Sequence, residues 1–398
     1  MTLRAVASKR LEGLSSAIFT EVASWKREAQ ARGVDVIDLG IGSPDQPPSE
    51  RVMQTLQRAV LNPVNYGYPT SEGSPAFRQA VARWYAHRFG VDLDPEGEVL
   101  ALMGSQDGLA HLALSITDPG DIALVPDPGY PIYSAALTLA GVEPYMLPLR
   151  AENRYLPLLE QIPEEVARKA KFILLNYPSN PLSAVADRTF FESLLAFAKR
   201  YELVVVHDLA YSEMAFDGYK PMSILEIPGA KDIAVEFHSL SKSFNMAGCR
   251  IAFLVGRSDV VKALKIVKSN IDYGVFLAVQ KAGIAALEED METAHTVGPL
   301  YERRRDALLS TLEDYGWSIQ KPKATMFVWA PIPKGWTARQ ISREMTLRAG
   351  VVVIPGDAFG SEGEGYVRIA LVQDEERLRE AGRRMGEFLR MNPHPAME

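Results

Sequence analysis

The chain has 398 residues, 47% hydrophobic and 23% charged, with a formal net charge of -7. That is a globular composition long enough for two domains, and too acidic to hold nucleic acid or an anionic membrane by bulk electrostatics. Its single cysteine, Cys249, excludes an internal disulfide, and no run approaches the ~20 apolar residues of a membrane helix or resembles a secretory leader, so a cytoplasmic protein is expected.

In chain order, residues 9–33 read as a helical arm closed by Gly33, followed by a short strand, VIDLG, and a proline-rich link, SPDQPP (43–48), that can continue neither element. Ser74 and Pro75 suit the cap and first turn of a helix that carries Phe77, Val81, Trp84 and Tyr85 on one face. Short β-rich runs then recur: VLALM (99–103), DIALVP (121–126), KFILLN (171–176), LVVVHD (203–208), IAVEF (233–237) and RIAFLVG (250–256). Several are apolar throughout, as strands covered on both faces are, and helical stretches such as DGLAHLALSI and FESLLAFAKRY lie between them. The alternation predicts an α/β fold with a mostly parallel central sheet flanked by helices. From about residue 290 the texture changes to helices with a few strands (MFVWAPI, VVVIPG, YVRIAL), which reads as a smaller α+β domain. The expected divisions are 1–45, an N-terminal arm and small-domain segment; 46–289, a large domain; and 290–398, a C-terminal small domain.

In parallel sheets ligands gather at the C-terminal ends of strands, and there the chain places its unusual residues. After VLALM, GSQDG opens a helix whose free N–H groups suit a phosphate, with Ser105 and Gln106 in the first turn. After DIALVP comes DPGYPIY, where Tyr130 offers either a stacking face or core filling. YPSNP follows KFILLN and holds Asn180; LVVVH ends on Asp208, with Tyr211 three residues on. A carboxylate ending an apolar strand is costly to bury without a partner, and His207 cannot serve, because adjacent strand residues face opposite ways. Finally SLSKSFNMAGCR brings Ser239, Ser241, Lys242 and Arg250.

Together these match the needs of pyridoxal 5′-phosphate. Its aldehyde requires a lysine amine for a Schiff base, Lys242. Its ring nitrogen calls for a buried carboxylate, Asp208. The ring oxygen wants donors, Asn180 and Tyr211, and the ring a flat partner, Tyr130. The phosphate wants a helix N-terminus, hydroxyls and a forked cation, Arg250. FHSLSKSFNMAGCR resembles the lysine signature of class I aminotransferases of fold type I, and GYPTSEGSPAFR, DPGYP, NYPSNP, HDLAYSE and YVRIA fall in that family's order. Within the class, IDLGIGSPD, VPDPGYPIY, HDLAYSEMAFDGY and VKSNIDYG are most similar to LL-diaminopimelate aminotransferases and the alanine-type enzymes near them. The resemblance implies a homodimer acting on an amino acid and a 2-oxo acid, with LL-diaminopimelate and 2-oxoglutarate as the sharpest pair, and alanine, aspartate or glutamate as alternatives. It implies further that Arg368 clamps a substrate α-carboxylate beside the backbone of Gly42, that Tyr68 reaches the phosphate of the neighbouring subunit, and that Asn270 contacts substrate or crosses between subunits. Asn180-Pro181-Leu182-Ser183 departs from the family's usual N-P-T-G, and Cys249 precedes Arg250 where a large residue is common.

Rivals fare worse. Ser239 to Lys242 is formally S-x-x-K, but neither K-T-G nor S-D-N, the other parts of the penicillin-recognising serine enzymes, occurs. Gly40-Ile41-Gly42 follows a strand as a dinucleotide loop does, but Asp45 stands where the third glycine belongs and prolines 44, 47 and 48 forbid the helix. A regulator built on the aminotransferase scaffold needs a basic DNA-binding module that the chain lacks, and the six histidines show no metal-ligand spacing. A β-lyase of the same fold shares Lys242 and Asp208 and remains the nearest alternative.

Overall fold

A computed structural model describes residues 17–292 and 297–393, together with 8, 10, 11 and 14. The helix expected over 9–33 is present as α1, Ala17–Ala31, and Gly33 follows in the left-handed conformation (φ 77°) that stops it; most of 9–16 lies outside the described residues. The strand β1, Ile37–Asp38, is only a fragment of VIDLG. Helix α2, Glu50–Val60, is capped by Ser49, and α3, Pro75–Phe89, by Ser74, whose hydroxyl accepts from the Phe77 N–H at 3.2 Å. The four residues assigned to its inner face, Phe77, Val81, Trp84 and Tyr85, are all buried.

The large sheet is built from β2 (Val99–Leu102), β3 (Ile122–Asp127), β4 (Glu143–Pro148), β5 (Ala170–Asn176), β6 (Val204–Asp208), β7 (Ala234–Ser239) and β8 (Ala252–Gly256), in the order β2-β8-β7-β6-β5-β3-β4. Only β8 runs antiparallel to its neighbours, so the other strands all end at one edge. Alternate residues of one strand enter different cores. Ile173 and Leu175 pack with Phe77, Trp84 and Val205, whereas Phe172 and Leu174 pack with Leu109, Val206 and Phe237. This is why these runs are apolar throughout. The edge strand β4 is absent from the sequence reading: Pro144 and Pro148 argue against a strand, and are tolerated because an edge leaves one row of hydrogen-bonding groups unused. Helix α4, Ser105–Ile116, follows β2, and α5, Ile132–Ala140, follows β3.

A second core forms around β9 (Phe327–Pro331), β11 (Ile354–Pro355) and β12 (Tyr366–Ala370), an antiparallel sheet of order β11-β12-β9. Beside it β1 pairs in parallel with β10, Val351–Val352, with Ile37 opposite Val351. Ile37 and Leu39 thereby share a core with Phe327, Val328 and Ile369. The N-terminal segment is thus fixed to the C-terminal sheet, and the loop after β1 is directed at the C-terminal edge of the large sheet. Among the described residues no helix is long and apolar enough to cross a membrane.

Candidate active site

A cavity of about 530 Å³ opens where that edge meets the loop after β1 and the strand β12. Of the residues singled out in the sequence, Gly42, Ser105, Gln106, Tyr130, Asn180, Asp208, Tyr211, Ser239, Ser241, Lys242, Arg250 and Arg368 line it. Tyr68 and Asn270 do not. Tyr68 is 90% exposed, its ring 5.5 Å from that of Tyr273, and Asn270 turns its amide back to the Ile266 carbonyl on an exposed helix face.

One end of the cavity is an anion cradle. Gly104 precedes α4 with φ 99°, and a Cβ there would collide with the Arg250 guanidinium, so only glycine lets the cation lie across the helix N-terminus. Arg250 is itself held by a bond to the Ala247 carbonyl (3.1 Å). Ser239 caps the four-residue helix Leu240–Ser243, accepting from the Ser241 N–H at 3.2 Å, and so fixes the direction in which Lys242 leaves the strand end. That bond also gives Ser239 a structural task in place of the nucleophile's. Tyr130 closes this end, its hydroxyl donating to Gln106 Oε1 at 2.7 Å.

The floor is Asp208. Its carboxylate accepts from the Tyr133 hydroxyl at 2.8 Å and from the Ala210 N–H at 3.3 Å. Burial raises its pKa, and those two donors oppose the rise. His207 faces the other way, as alternation demands, with Nδ1 2.7 Å from buried Glu236 and Nε2 2.9 Å from the Tyr177 carbonyl. Glu236 also accepts from the Tyr85 and Ser223 hydroxyls. Although burial works against it, the bond with His207 and the His238 ring 3.6 Å away hold its carboxyl well below the usual range. Asn176, one strand over from Asp208, donates to the Asp208 carbonyl (2.7 Å) and accepts from the Asn180 N–H (2.7 Å). Its amide thus ties two strand ends together.

The opposite wall is cationic. Lys242 Nζ donates to the Gly42 carbonyl at 2.6 Å, and burial, with the charges of Arg368 and Arg250 beside it, lowers its pKa to about 8. Arg368 donates to Asn180 Oδ1 (3.1 Å) and to the Gly40 carbonyl (2.8 Å), while its Nε has no partner among the described residues. Phe327 and Phe359 sandwich the guanidinium at 4.3 and 4.7 Å. Burial pushes its pKa down to about 10, and among the described residues no carboxylate neutralises it. A buried cation flanked by aromatic faces, with an unsatisfied N–H, fits an incoming carboxylate. A second cluster, Asp107, His111 and Asp272, could hold a cation by geometry, but the buried Lys268 ammonium lies 2.8 Å from Asp272 and 3.6 Å from Asp107, and supplies the positive charge itself.

Sequence reasoning missed Tyr133, Asn176, Phe327 and Phe359. Tyr133 stands in the same DPGYPIY as Tyr130, one helical turn on, and a buried acid in want of a donor was the signal that could have found it. Phe327 lies in an apolar run and Phe359 in the glycine-rich turn GDAFG, neither with a local mark.

Residues 34–385 match the family described as aminotransferase class I and II. The chain is 49% identical over 382 residues to the LL-diaminopimelate aminotransferase of Moorella thermoacetica, covering 96% of this chain and 98% of that protein. It is 48% identical over 380 residues to the enzyme of the same name from Syntrophobacter fumaroxidans, covering 96% and 98%. Among solved structures, substrate-bound BacF from Bacillus subtilis is 38% identical with a TM-score of 0.92, over 97% of this chain and 98% of that one. A Thermus thermophilus protein described as a probable N-succinyldiaminopimelate aminotransferase is 40% identical with a TM-score of 0.89, over 93% and 100%.

Proposed function

The chain belongs to the class I and II aminotransferases, and from that premise we propose that it moves an amino group between LL-diaminopimelate and 2-oxoglutarate, with pyridoxal 5′-phosphate as cofactor and as a homodimer. The transferase fold of type I is common to it and its solved relatives. One observation carries the reading of the site: two cations without carboxylate partners among the described residues, Lys242 and Arg368, face the same cavity as a buried acid, Asp208, and a cradle for a doubly charged anion. That set fits the cofactor and a substrate α-carboxylate at once. The names of the relatives at 48–49% identity support the substrate pair.

When bound, pyridoxal 5′-phosphate supplies an aldehyde for the amino group and a ring that accepts the electron pair left when the substrate α-carbon loses its proton. The chain's residues do the rest. Ser105, Gln106, Ser239, Ser241 and Arg250 would hold its phosphate, with Tyr130 available to cover its ring. Asn180 and Tyr211 would donate to its ring oxygen, and Asp208, oriented by Tyr133, would keep a proton on its ring nitrogen. Arg368 grips the α-carboxylate with two parallel N–H groups beside the Gly42 backbone, fixing which face of the α-carbon meets Lys242. With its pKa lowered to about 8, roughly a tenth of Lys242 is the neutral amine at neutral pH, against well under a hundredth for an ordinary lysine. The neutral form can take the α-proton and return it at the neighbouring carbon. Because the second half runs the same steps backwards with a new 2-oxo acid, kinetics are ping-pong. Tyr68, exposed in one chain, completes the phosphate site of the other subunit, and Asn270 lies at the same interface. Residues 46–289 form the cofactor-binding unit, and 1–45 with 290–398 the smaller one.

The test is direct. Holoenzyme is mixed with single amino acids, and conversion of the bound cofactor to its amine form is followed by absorbance. LL-diaminopimelate is expected to convert it, with 2-oxoglutarate restoring it. A response to alanine or aspartate alone would overturn the substrate pair. Steady-state transamination retained by Lys242→Ala would overturn the catalytic role of Lys242.

A further inference from the structure

The cavity contains a charge pair with no part in the chemistry above. Lys26, on α1, donates from Nζ to Asp38 Oδ2 at 2.7 Å, and both residues line the cavity together with Arg368 and Lys242. As a fastening between α1 and β1 the pair would contribute little, because its side chains keep 34% and 18% of their exposure. The backbone around it is more telling. Asp38 Oδ1 accepts from the Gly40 N–H at 2.9 Å, the Gly40 carbonyl accepts from Arg368 at 2.8 Å, and the Gly42 carbonyl accepts from Lys242 at 2.6 Å. A single extended segment, 38–42, therefore fixes the positions of the carboxylate-binding cation, the catalytic amine and the charge pair. Asp38 and Arg368 thus grip the N–H and the carbonyl of the same residue, Gly40, so the charge pair lies just beyond the Arg368 contact along the wall, within reach of an amino acid with a few methylenes. Phe19, Val22 and Ile354 supply apolar wall for such a chain. The bond to Asp38 is the one hydrogen bond of the Lys26 ammonium among the described residues, which leaves two of its three N–H groups for a ligand.

We infer that Lys26 and Asp38 form a distal subsite for a second α-amino-acid head, Lys26 taking its carboxylate and Asp38 its ammonium. The inference rests on the diaminopimelate reading and deepens it. Diaminopimelate carries the same zwitterion at both ends, so one head meets Arg368 and Lys242 while the other meets a pair of matching, opposite charges. Alanine cannot reach the pair. A donor with a lone distal carboxylate reaches Lys26 but faces Asp38 as a like charge, so the pair selects against it as well as for the zwitterion.

The experiment compares holoenzyme of the wild type with Lys26→Gln, Lys26→Arg and Asp38→Asn, the last keeping an oxygen for the Gly40 N–H. The ratio of kcat/KM for LL-diaminopimelate to that for alanine is expected to fall at least about tenfold in Lys26→Gln and Asp38→Asn and to recover in Lys26→Arg. Calorimetric binding of glutarate, an unreactive dicarboxylate, gives a readout apart from turnover. Lys26→Gln should weaken it, and Asp38→Asn should tighten it by removing a like charge while weakening diaminopimelate. That opposite sign for two ligands is something a purely structural fastening would not produce. If the wild type converts diaminopimelate and both variants change every donor equally, or if Asp38→Asn weakens glutarate too, the subsite is wrong. If the wild type leaves diaminopimelate untouched while using other donors, the substrate reading falls first and the subsite with it.

Discussion

Replacing Lys242 by methionine should make the cofactor-free protein more stable at neutral pH, although it destroys activity. Burial and the guanidinium groups of Arg368 and Arg250 take the Lys242 pKa from an ordinary 10.5 to about 8. At about 1.4 kcal/mol per factor of ten, the charged amine destabilises the folded state by about 3 kcal/mol at pH values below 8. The variant also loses the bond to the Gly42 carbonyl, which leaves a net gain of about 1–2 kcal/mol, or a few degrees in Tm. The sign reverses with pH in a defined window. Between about 8 and 10.5 the unfolded chain binds a proton that the folded chain has released, so wild-type stability climbs relative to the variant and the advantage of methionine is gone above 10.5. Calorimetric melts of both cofactor-free proteins at pH 7 and 10.5 measure it. A variant that melts below wild type at pH 7, or a difference that ignores pH, would refute the account of Lys242 as a desolvated cation among cations.

Three other outcomes are expected. Asp208→Ala should still bind pyridoxal 5′-phosphate but lose most of its kcat, measured in the diaminopimelate half-reaction. Tyr133→Phe removes the 2.8 Å donor to Asp208; its kcat should fall roughly tenfold, a change worth about 1.4 kcal/mol, with cofactor affinity nearly kept in equilibrium titration. Gly104→Ala forces Arg250 off the helix N-terminus, so the Kd for pyridoxal 5′-phosphate should rise tenfold or more, while free pyridoxal, which lacks the phosphate, is affected much less.

What the sequence disclosed was whatever local rules govern. Ser74 and Pro75 announced their helix, the doubly apolar runs announced a sheet covered on both faces, and the period of two showed that His207 could not serve Asp208. The partners that matter most are set by distance in the chain. Tyr133 and Asp208 are 75 positions apart, and Arg368 and Gly40 are 328. Phe327 and Phe359 look like any core residues until the fold closes them on a cation. Strand β4 was hidden by its prolines. The roles proposed for Tyr68 and Asn270 rest on resemblance alone, since among the described residues nothing in one chain brings either to the cavity.

The pairing of Ile37 with Val351 and Asp38 with Val352 has a consequence for synthesis. Every strand of the large sheet is complete in the sequence by residue 256, so that sheet can assemble while the chain is still growing. The segment bearing Gly40 and Gly42 lacks its strand partner until residues beyond 350 emerge, and Arg368 arrives later still. Completion of the pocket is therefore among the last events of biogenesis, and a nascent chain stalled before residue 350 holds Asp208 and Lys242 on a sheet with no lid.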